Sequence, residues 1–213
     1  MTLLEQSLRR WRVRRAMPHI PAGSRVLDIG CADGLLFEMQ GSRIAGGLGI
    51  DPELPAPIER SGYRLVPGRV PDGLPSMEPV DVIAMLAVVE HFRAEELPAI
   101  LSCCAGLLKP GGVIVVTVPA PAVDQILHVL QWLRLVDGMC VHQHHGFDPR
   151  GAPALFAAQG LRLTRHTRFQ LGLNHLFVFR KPAVASPTAI SSGLAGSREA
   201  IVAPAWPSQP LSA

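Results

Sequence analysis

Charge is scarce in this chain of 213 residues. Asp, Glu, Lys and Arg together make up 17% of it, aromatic residues 5%, and there is a single tyrosine, whereas 48% is hydrophobic. So little charge beside so much apolar content excludes a self-repelling disordered chain and reads as an ordinary α/β or α+β domain with a sizeable core. The formal net charge of +3 is too small to argue for a nucleic-acid partner, and none is expected. Cysteine is sparse too. Cys31, Cys103, Cys104 and Cys140 contain no CxxC pair, and the vicinal pair is poorly placed to bridge. With no secretory apolar segment at the start, reduced thiols in a cytoplasm are the simplest reading. Long apolar runs are missing as well. "VIAMLAVV" and "VIVVTVPAPAV" fall far short of the ~20 residues that a membrane span needs.

The basic residues gather at the start, where Arg9, Arg10, Arg12, Arg14 and Arg15 lie on a helix expected over roughly 2–17. Leu3, Leu4, Leu8, Trp11 and Val13 give that helix an imperfect apolar side. Its arginines are a solvated face or, at most, a weak contact with an anionic membrane surface. Residues 1–22 are therefore set apart as a basic N-terminal helix.

Beyond it, apolar β-branched runs alternate with a helical pattern. Val26–Ile29, "GGLGID" ending at Asp51, "YRLV" (63–66), "DVIAMLA" (81–87) and "GVIVVTVP" (112–119) read as strands. Between the last two, Leu97, Ile100, Leu101, Leu107 and Leu108 space a helix that "KPGG" stops. Continuous apolar strands alternating with helices imply a parallel, doubly wound sheet covered on both faces. "LRLTRHTRF" (161–169) and "HLFVFRK" (175–181) lack a helix between them and read as a closing hairpin. After Lys181 the composition turns to Ala, Pro, Ser and Gly, so 182–213 is expected to be a flexible tail.

The stretch "VLDIGCADG" (26–34) carries the chemistry. In an open α/β sheet, ligands bind outside the carboxyl ends of the strands, where Asp28, the 30–34 loop, Asp51 and the segment after Ala87 would gather. A dinucleotide loop wants G-x-G-x-x-G with phosphate on the helix N-terminus. Here Gly30 and Gly34 stand as G-x-x-x-G, and Asp33 would repel a phosphate. A cationic ligand without phosphate reverses that argument. S-adenosylmethionine is one, with a sulfonium, an α-amino group and ribose hydroxyls that a carboxylate such as Asp51 can accept from. A nucleotide-dependent oxidoreductase is thereby disfavoured.

"VLDIGCADG", "GIDPE", "DVIAMLAVVEHF" and "LLKPGGVIVVTVP" resemble, in order and spacing, the four nucleotide-site motifs of the class I S-adenosylmethionine-dependent methyltransferases. The flavour is that of the quinone-biosynthesis branch, and the resemblance spans about residues 23–181. It implies a Rossmann-like sheet of about seven strands whose last strand is antiparallel, with helices on both faces. It also implies the cofactor S-adenosylmethionine. Carried over by position, Asp28 and the backbone of Gly30, Cys31, Ala32 and Gly34 would hold the methionine part. Asp51 would hold the ribose, Pro52 would lie beside the adenosine, and Leu86 and Ala87 would line the sulfonium side. The chain departs from the pattern at Ala32, where a glycine is usual, so the backbone there should avoid conformations that only glycine tolerates. It departs again at Arg69, which cannot accept a bond from the adenine amine.

Each of these residues has a plainer alternative. Asp51 could cap a following helix, Asp28 could tie down loop amides, and Glu90 and His91 could start the next helix. His91 could equally face the transferred methyl. Residues 119–160 form the expected substrate side, with a very apolar helix over about 122–137 that includes Leu130 and Trp132. Downstream, "CVHQHHGFDP" offers His142, His144 and His145. Its C-x-H-x-H-H spacing does not match a closed zinc site, so no metal is expected, while His145 is a candidate general base. The acceptor is expected to be a small, apolar or amphipathic molecule. A catalytically silent binding scaffold on the same fold stays open.

Overall fold

The computed structural model describes residues 3–120 and 147–183. The helix expected over 122–137, Cys140, the histidines at 142, 144 and 145, and the tail from 184 onward lie outside them. Eight strands form one sheet: β1 (Arg25–Ile29), β2 (Gly46–Asp51), β3 (Ile58–Arg60), β4 (Tyr63–Pro67), β5 (Val80–Leu86), β6 (Leu108–Pro119), β7 (Arg162–Phe169) and β8 (Asn174–Arg180). Their order across the sheet is β3-β4-β2-β1-β5-β6-β8-β7. β4, β2, β1, β5 and β6 run parallel. β8 enters antiparallel between β6 and β7, the closing hairpin read from the sequence.

The short edge strand β3 is the addition to the expected set. It pairs antiparallel with β4 and keeps only Ile58 partly buried. Three residues with one inward side chain leave no alternation to read.

Strand side chains point to alternate faces, and this splits the core in two. On one face Leu27, Ile83, Ile114 and Phe179 pack against α3 (Leu97–Leu107) and α4 (Ala152–Ala157). On the other, Val26, Val82 and Val115 pack against α1 (Leu3–Ala16) and α2 (Leu35–Gln40). Alternation thus converts unbroken apolar strands into two dry layers, the arrangement expected of a doubly wound sheet.

α1 buries Val13 and Ala16, three residues apart, and the chain then buries Ile20. Trp11 is 45% exposed, contrary to its expected place on the apolar side. Two residues turn a helix by about 200°, so Trp11 and Val13 cannot share a face. Gln170 Nε2 donates to the Leu8 carbonyl at 3.2 Å and ties α1 to the β7–β8 turn. α3 has Pro98 in its first turn, where a missing N–H costs nothing, and it ends at Leu107, directly before β6, whose first residues include the Lys-Pro-Gly-Gly stretch.

Candidate functional site

The carboxyl ends of β1, β2 and β5 converge on the glycine loop. Gly30 N donates to Ile50 O at 2.9 Å, so the loop leaves β1 locked to the end of β2. Gly30 and Gly34 have φ of +76° and +83°, in the left-handed region. A Cβ on Gly30 would lie 2.6 Å from Val88 Cγ2, so close packing also demands a glycine there. Ala32 has φ +46°. The expectation that it avoids such a conformation is therefore corrected: alanine takes it at a cost of roughly 1–2 kcal/mol. Its N–H donates to Asp51 Oδ2 at 2.9 Å, which holds the strained residue in place.

Asp51 accepts a second bond on Oδ1 from Glu53 N, again at 2.9 Å. A turn follows it, not a helix, so the capping alternative takes the form of a loop clamp. Each carboxylate oxygen has more than one lone-pair direction, so both can accept again. Pro52 beside it is exposed.

Asp28 is buried between Gly49 of β2 and Ala84 of β5. Its Oδ1 has no hydrogen-bond partner among the described residues. Burial, and then the charge of Asp51, push its carboxyl up to about 8. Asp28 at 4% exposure makes no hydrogen bond to the loop amides, and its Oδ1 stays open to a donor. Cys31 is buried in the same loop, and desolvation followed by the charges of Asp28 and Asp51 holds its thiol neutral. Asp33 points elsewhere. Arg9 of α1 grips it through Nη2–Oδ1 at 2.6 Å and Nη1–Oδ2 at 3.2 Å, and this hydrogen-bonded pairing holds its carboxyl below the usual range. A fourth acid, Glu90, is buried in the turn after β5, and its charge acts on Arg12, one helical turn along from Arg9. Arg9 fastens α1 to the loop and Arg12 feels the charge of Glu90 in the turn after β5, roles the sequence signals only as arginines three apart on a helix.

On the β5 side Leu86 is half-buried and Ala87 takes φ +56°, its N–H donating to Thr117 O at 2.9 Å. Val89–His91 then form a single 3-10 turn and not the start of a helix. Glu90 turns inward and His91 is exposed. The structure thus brings together Asp28, Gly30, Cys31, Ala32, Gly34, Asp51, Leu86 and Ala87. His145 is outside the described residues. A groove of about 770 Å³ lies at the opposite, amino edge of the sheet, between Pro18, Gly23, Asp81, Lys109 and Arg165. It has no part in this constellation.

The methyltransferase domain family matches residues 4–166. The chain belongs to the class I S-adenosylmethionine-dependent methyltransferases. The ubiquinone biosynthesis O-methyltransferase of Rhizobium etli is 31% identical, over 68% of this chain and 62% of that protein. The human mitochondrial protein of that name is 33% identical, over 45% of this chain and 28% of its own length. The chain therefore spans less than two thirds of these relatives. The fold matches that of the N-methyltransferase NodS from Bradyrhizobium japonicum in complex with S-adenosylhomocysteine, with TM-score 0.59 and 16% identity, over 85% of this chain and 89% of that one. It also matches a chain of the Haloferax volcanii complex of a methyltransferase with the Trm112 activator, with TM-score 0.64 and 16% identity, over 82% and 91%.

In this chain the buried acids fit S-adenosylmethionine. The orphaned Oδ1 of Asp28 is the deciding atom, because an ammonium would supply both its missing donor and its missing charge. Among the described residues no cluster of three His, Cys, Asp or Glu could hold a metal ion, and no helix is long and apolar enough to cross a membrane.

Proposed function

We propose that this protein transfers a methyl group from S-adenosylmethionine to an oxygen atom of a small, apolar or amphipathic acceptor. The observation that carries the reading is the unpartnered, fully buried carboxyl of Asp28 beneath a glycine loop already braced by Asp51. When bound, the cofactor supplies an electrophilic methyl on a sulfonium. Asp28 meets its α-amino group, and the backbone from Gly30 to Gly34, with Cys31 and Ala32 between, follows its methionine part. Asp51 accepts from the ribose hydroxyls, and Pro52 flanks the adenosine. Leu86 and Ala87 wall the sulfonium and keep water from it. Alignment and water exclusion supply most of such a transfer, with no covalent enzyme intermediate.

Oxygen is favoured as the methylated atom because the curated relatives are named O-methyltransferases. His91, exposed in the turn after β5, and His145 are the histidines that chain order offers to the acceptor. The free thiols of Cys31, Cys103 and Cys104 suit a reducing compartment such as the cytoplasm.

The test is calorimetry with S-adenosylhomocysteine, followed by transfer of labelled methyl to extracted metabolites. Asp51→Ala should weaken binding roughly ten- to a hundredfold, the loss of charge-assisted bonds worth about 1.5–3 kcal/mol. Unchanged affinity would remove Asp51 from the site. Binding without turnover on any acceptor would favour a silent scaffold.

A further inference from the structure

The groove at the amino edge of the sheet, opposite the glycine loop, is lined mainly by charge of one sign. Lys109, Arg165 and Arg180 line it, with His19 just past α1 and Asp81 as its one acid. That acid is already spent. Lys109 Nζ donates to Asp81 Oδ1 at 2.8 Å, and Arg25 N donates to Oδ2 at 2.8 Å. Arg180 Nη1 donates to Gly111 O at 2.8 Å, which leaves most of its N–H donors unspent. Arg165 has no hydrogen-bond or ion-pair partner among the described residues.

A bulge gathers the arginines. Side chains alternate along a strand, so residues three apart ordinarily face opposite ways. In β7 the register shifts between Leu163 and Arg165, and Thr164 is the extra residue, its hydroxyl donating to Val178 O at 3.0 Å. Arg162 lies opposite Arg180, and Arg165 opposite Val178, two residues from Arg180 along β8. Arg162, Arg165 and Arg180 therefore share one face, and all three are exposed. Like charges directly opposite each other are destabilising, and no carboxylate pairs with any of the three among the described residues. The fold alone has no need of that cost, and an anion would remove it.

We infer that this groove is a second binding site, separate from the cofactor cleft, and that it holds a small molecule bearing two linked phosphates. Its volume of about 770 Å³ lies in the range of small-molecule pockets, and Val113 and Val178 add an apolar patch. A guanidinium forks its donors onto phosphate oxygens. One phosphate monoester brings a charge of about −1.5 to −2 at neutral pH, which leaves part of three guanidiniums uncompensated, whereas two linked phosphates match them. An extended nucleic acid fits less well, because the net charge of the chain is only +3 and Asp81 sits in the groove.

His19 reports on the state of the groove. Burial lowers its tendency to charge, and the charges of Arg165 and Arg15 lower it further. Lys109, Arg180 and the already paired Asp81 are the other charged groups of the lining. A bound diphosphate offsets Arg165 and favours the imidazolium, so His19 should titrate at higher pH when the groove is filled.

The probe is inorganic pyrophosphate, titrated by calorimetry into the full chain in buffer free of divalent cations. The wild type should bind it at one site, equally well with and without S-adenosylhomocysteine. Arg165→Gln should weaken binding at least about tenfold, and Arg162→Gln at least about threefold. Arg168→Gln makes the same charge change on the same strand but on the other face, opposite His175, and should leave binding unchanged. S-adenosylhomocysteine affinity should be unchanged in every variant, which checks folding independently. The His19 imidazole, followed by NMR and assigned with His19→Asn, should titrate at higher pH in the presence of pyrophosphate. No binding by the wild type, wild-type affinity in Arg162→Gln or Arg165→Gln, an equal loss in Arg168→Gln, or a stationary His19 titration overturns the inference. Tighter binding of a short single-stranded RNA than of pyrophosphate overturns it too, and assigns the groove to nucleic acid.

Discussion

Around the carboxyl ends of β1 and β2 stand three carboxylates, Asp28, Asp33 and Asp51. On the β8–β7 hairpin two imidazoles, His166 and His175, meet across paired strands. Asp28 in β1, Asp33 in the glycine loop and Asp51 at the end of β2 are drawn together by the fold, yet they meet three fates. Asp33 is neutralised by Arg9, Asp51 is spent partly on two amides, and Asp28 is buried without a partner. His166 and His175 come from different strands and find each other across a hairpin. The contrast teaches that a loop can store a charge preference locally, whereas a pair of hydrogen-bonded imidazoles needs two strands in register.

The largest effect expected separates stability from binding. Phe156 of α4 is fully buried and stacks on Phe179 with centroids 4.0 Å apart. Phe156→Ala should cost about 3–5 kcal/mol in denaturant unfolding. Affinity for S-adenosylhomocysteine should survive wherever the chain stays folded. A large loss of affinity in folded protein would mean that the two halves of the sheet are coupled.

Gly30→Ala attacks the loop itself. The left-handed φ and the collision with Val88 together should cost about 2–5 kcal/mol, and here binding should fall with stability. A variant of full stability would mean that the loop relaxes easily and that Val88 does not brace it.

Asp28→Asn should move the two quantities in opposite directions. Binding should weaken roughly ten- to a hundredfold, for loss of a charge-assisted bond of about 1.5–3 kcal/mol. The folded carboxyl titrates near 8, above its ordinary value of 3.8, so between those values the folded chain holds a proton that the unfolded chain has released. Stability of the ligand-free protein therefore falls as pH rises from about 4 to 8. Asparagine has no proton to lose, so the variant's melting temperature should exceed the wild type's by more at pH 8 than at pH 5. Equal differences at the two pH values would show that Asp28 is ionised in the ligand-free protein.

The smallest effect concerns Ala32. Alanine to glycine ordinarily loses about 0.5–1 kcal/mol, but relief of the left-handed φ offsets it here, so Ala32→Gly should be neutral or stabilising by up to about 1 kcal/mol. An ordinary loss would place the strain elsewhere in the loop.

Much of the cofactor side was legible in the sequence because its determinants are local. A strand, a glycine turn and an acid at the end of the next strand lie within 26 residues, from Val26 to Asp51. Periodicity likewise marked the five parallel strands, α3 and the closing hairpin, since burial on both faces requires apolar side chains without interruption. β3 escaped because three residues carry no period. Ala32 was misjudged because residue type states a preference for φ, and an amide bond to Asp51 overrides it. The turn at Glu90 and His91 escaped because a 3-10 turn and a helix start share the same composition.

By itself, then, the sequence determined the kind of sheet, the acid-lined loop and the sign of the charge that the loop welcomes, because alternation, glycine and carboxylate act over a few neighbouring residues. Only the tertiary structure decided which acid stays unpaired. Arg9 must fold back across the loop to take Asp33, and Gly49 and Ala84 must flank Asp28 before its charge becomes costly. It also decided that His166 meets His175, nine residues apart in sequence, because antiparallel register and the side-chain period of two bring them onto one face. Such contacts depend on where distant segments pack, and no single stretch of the chain contains that information.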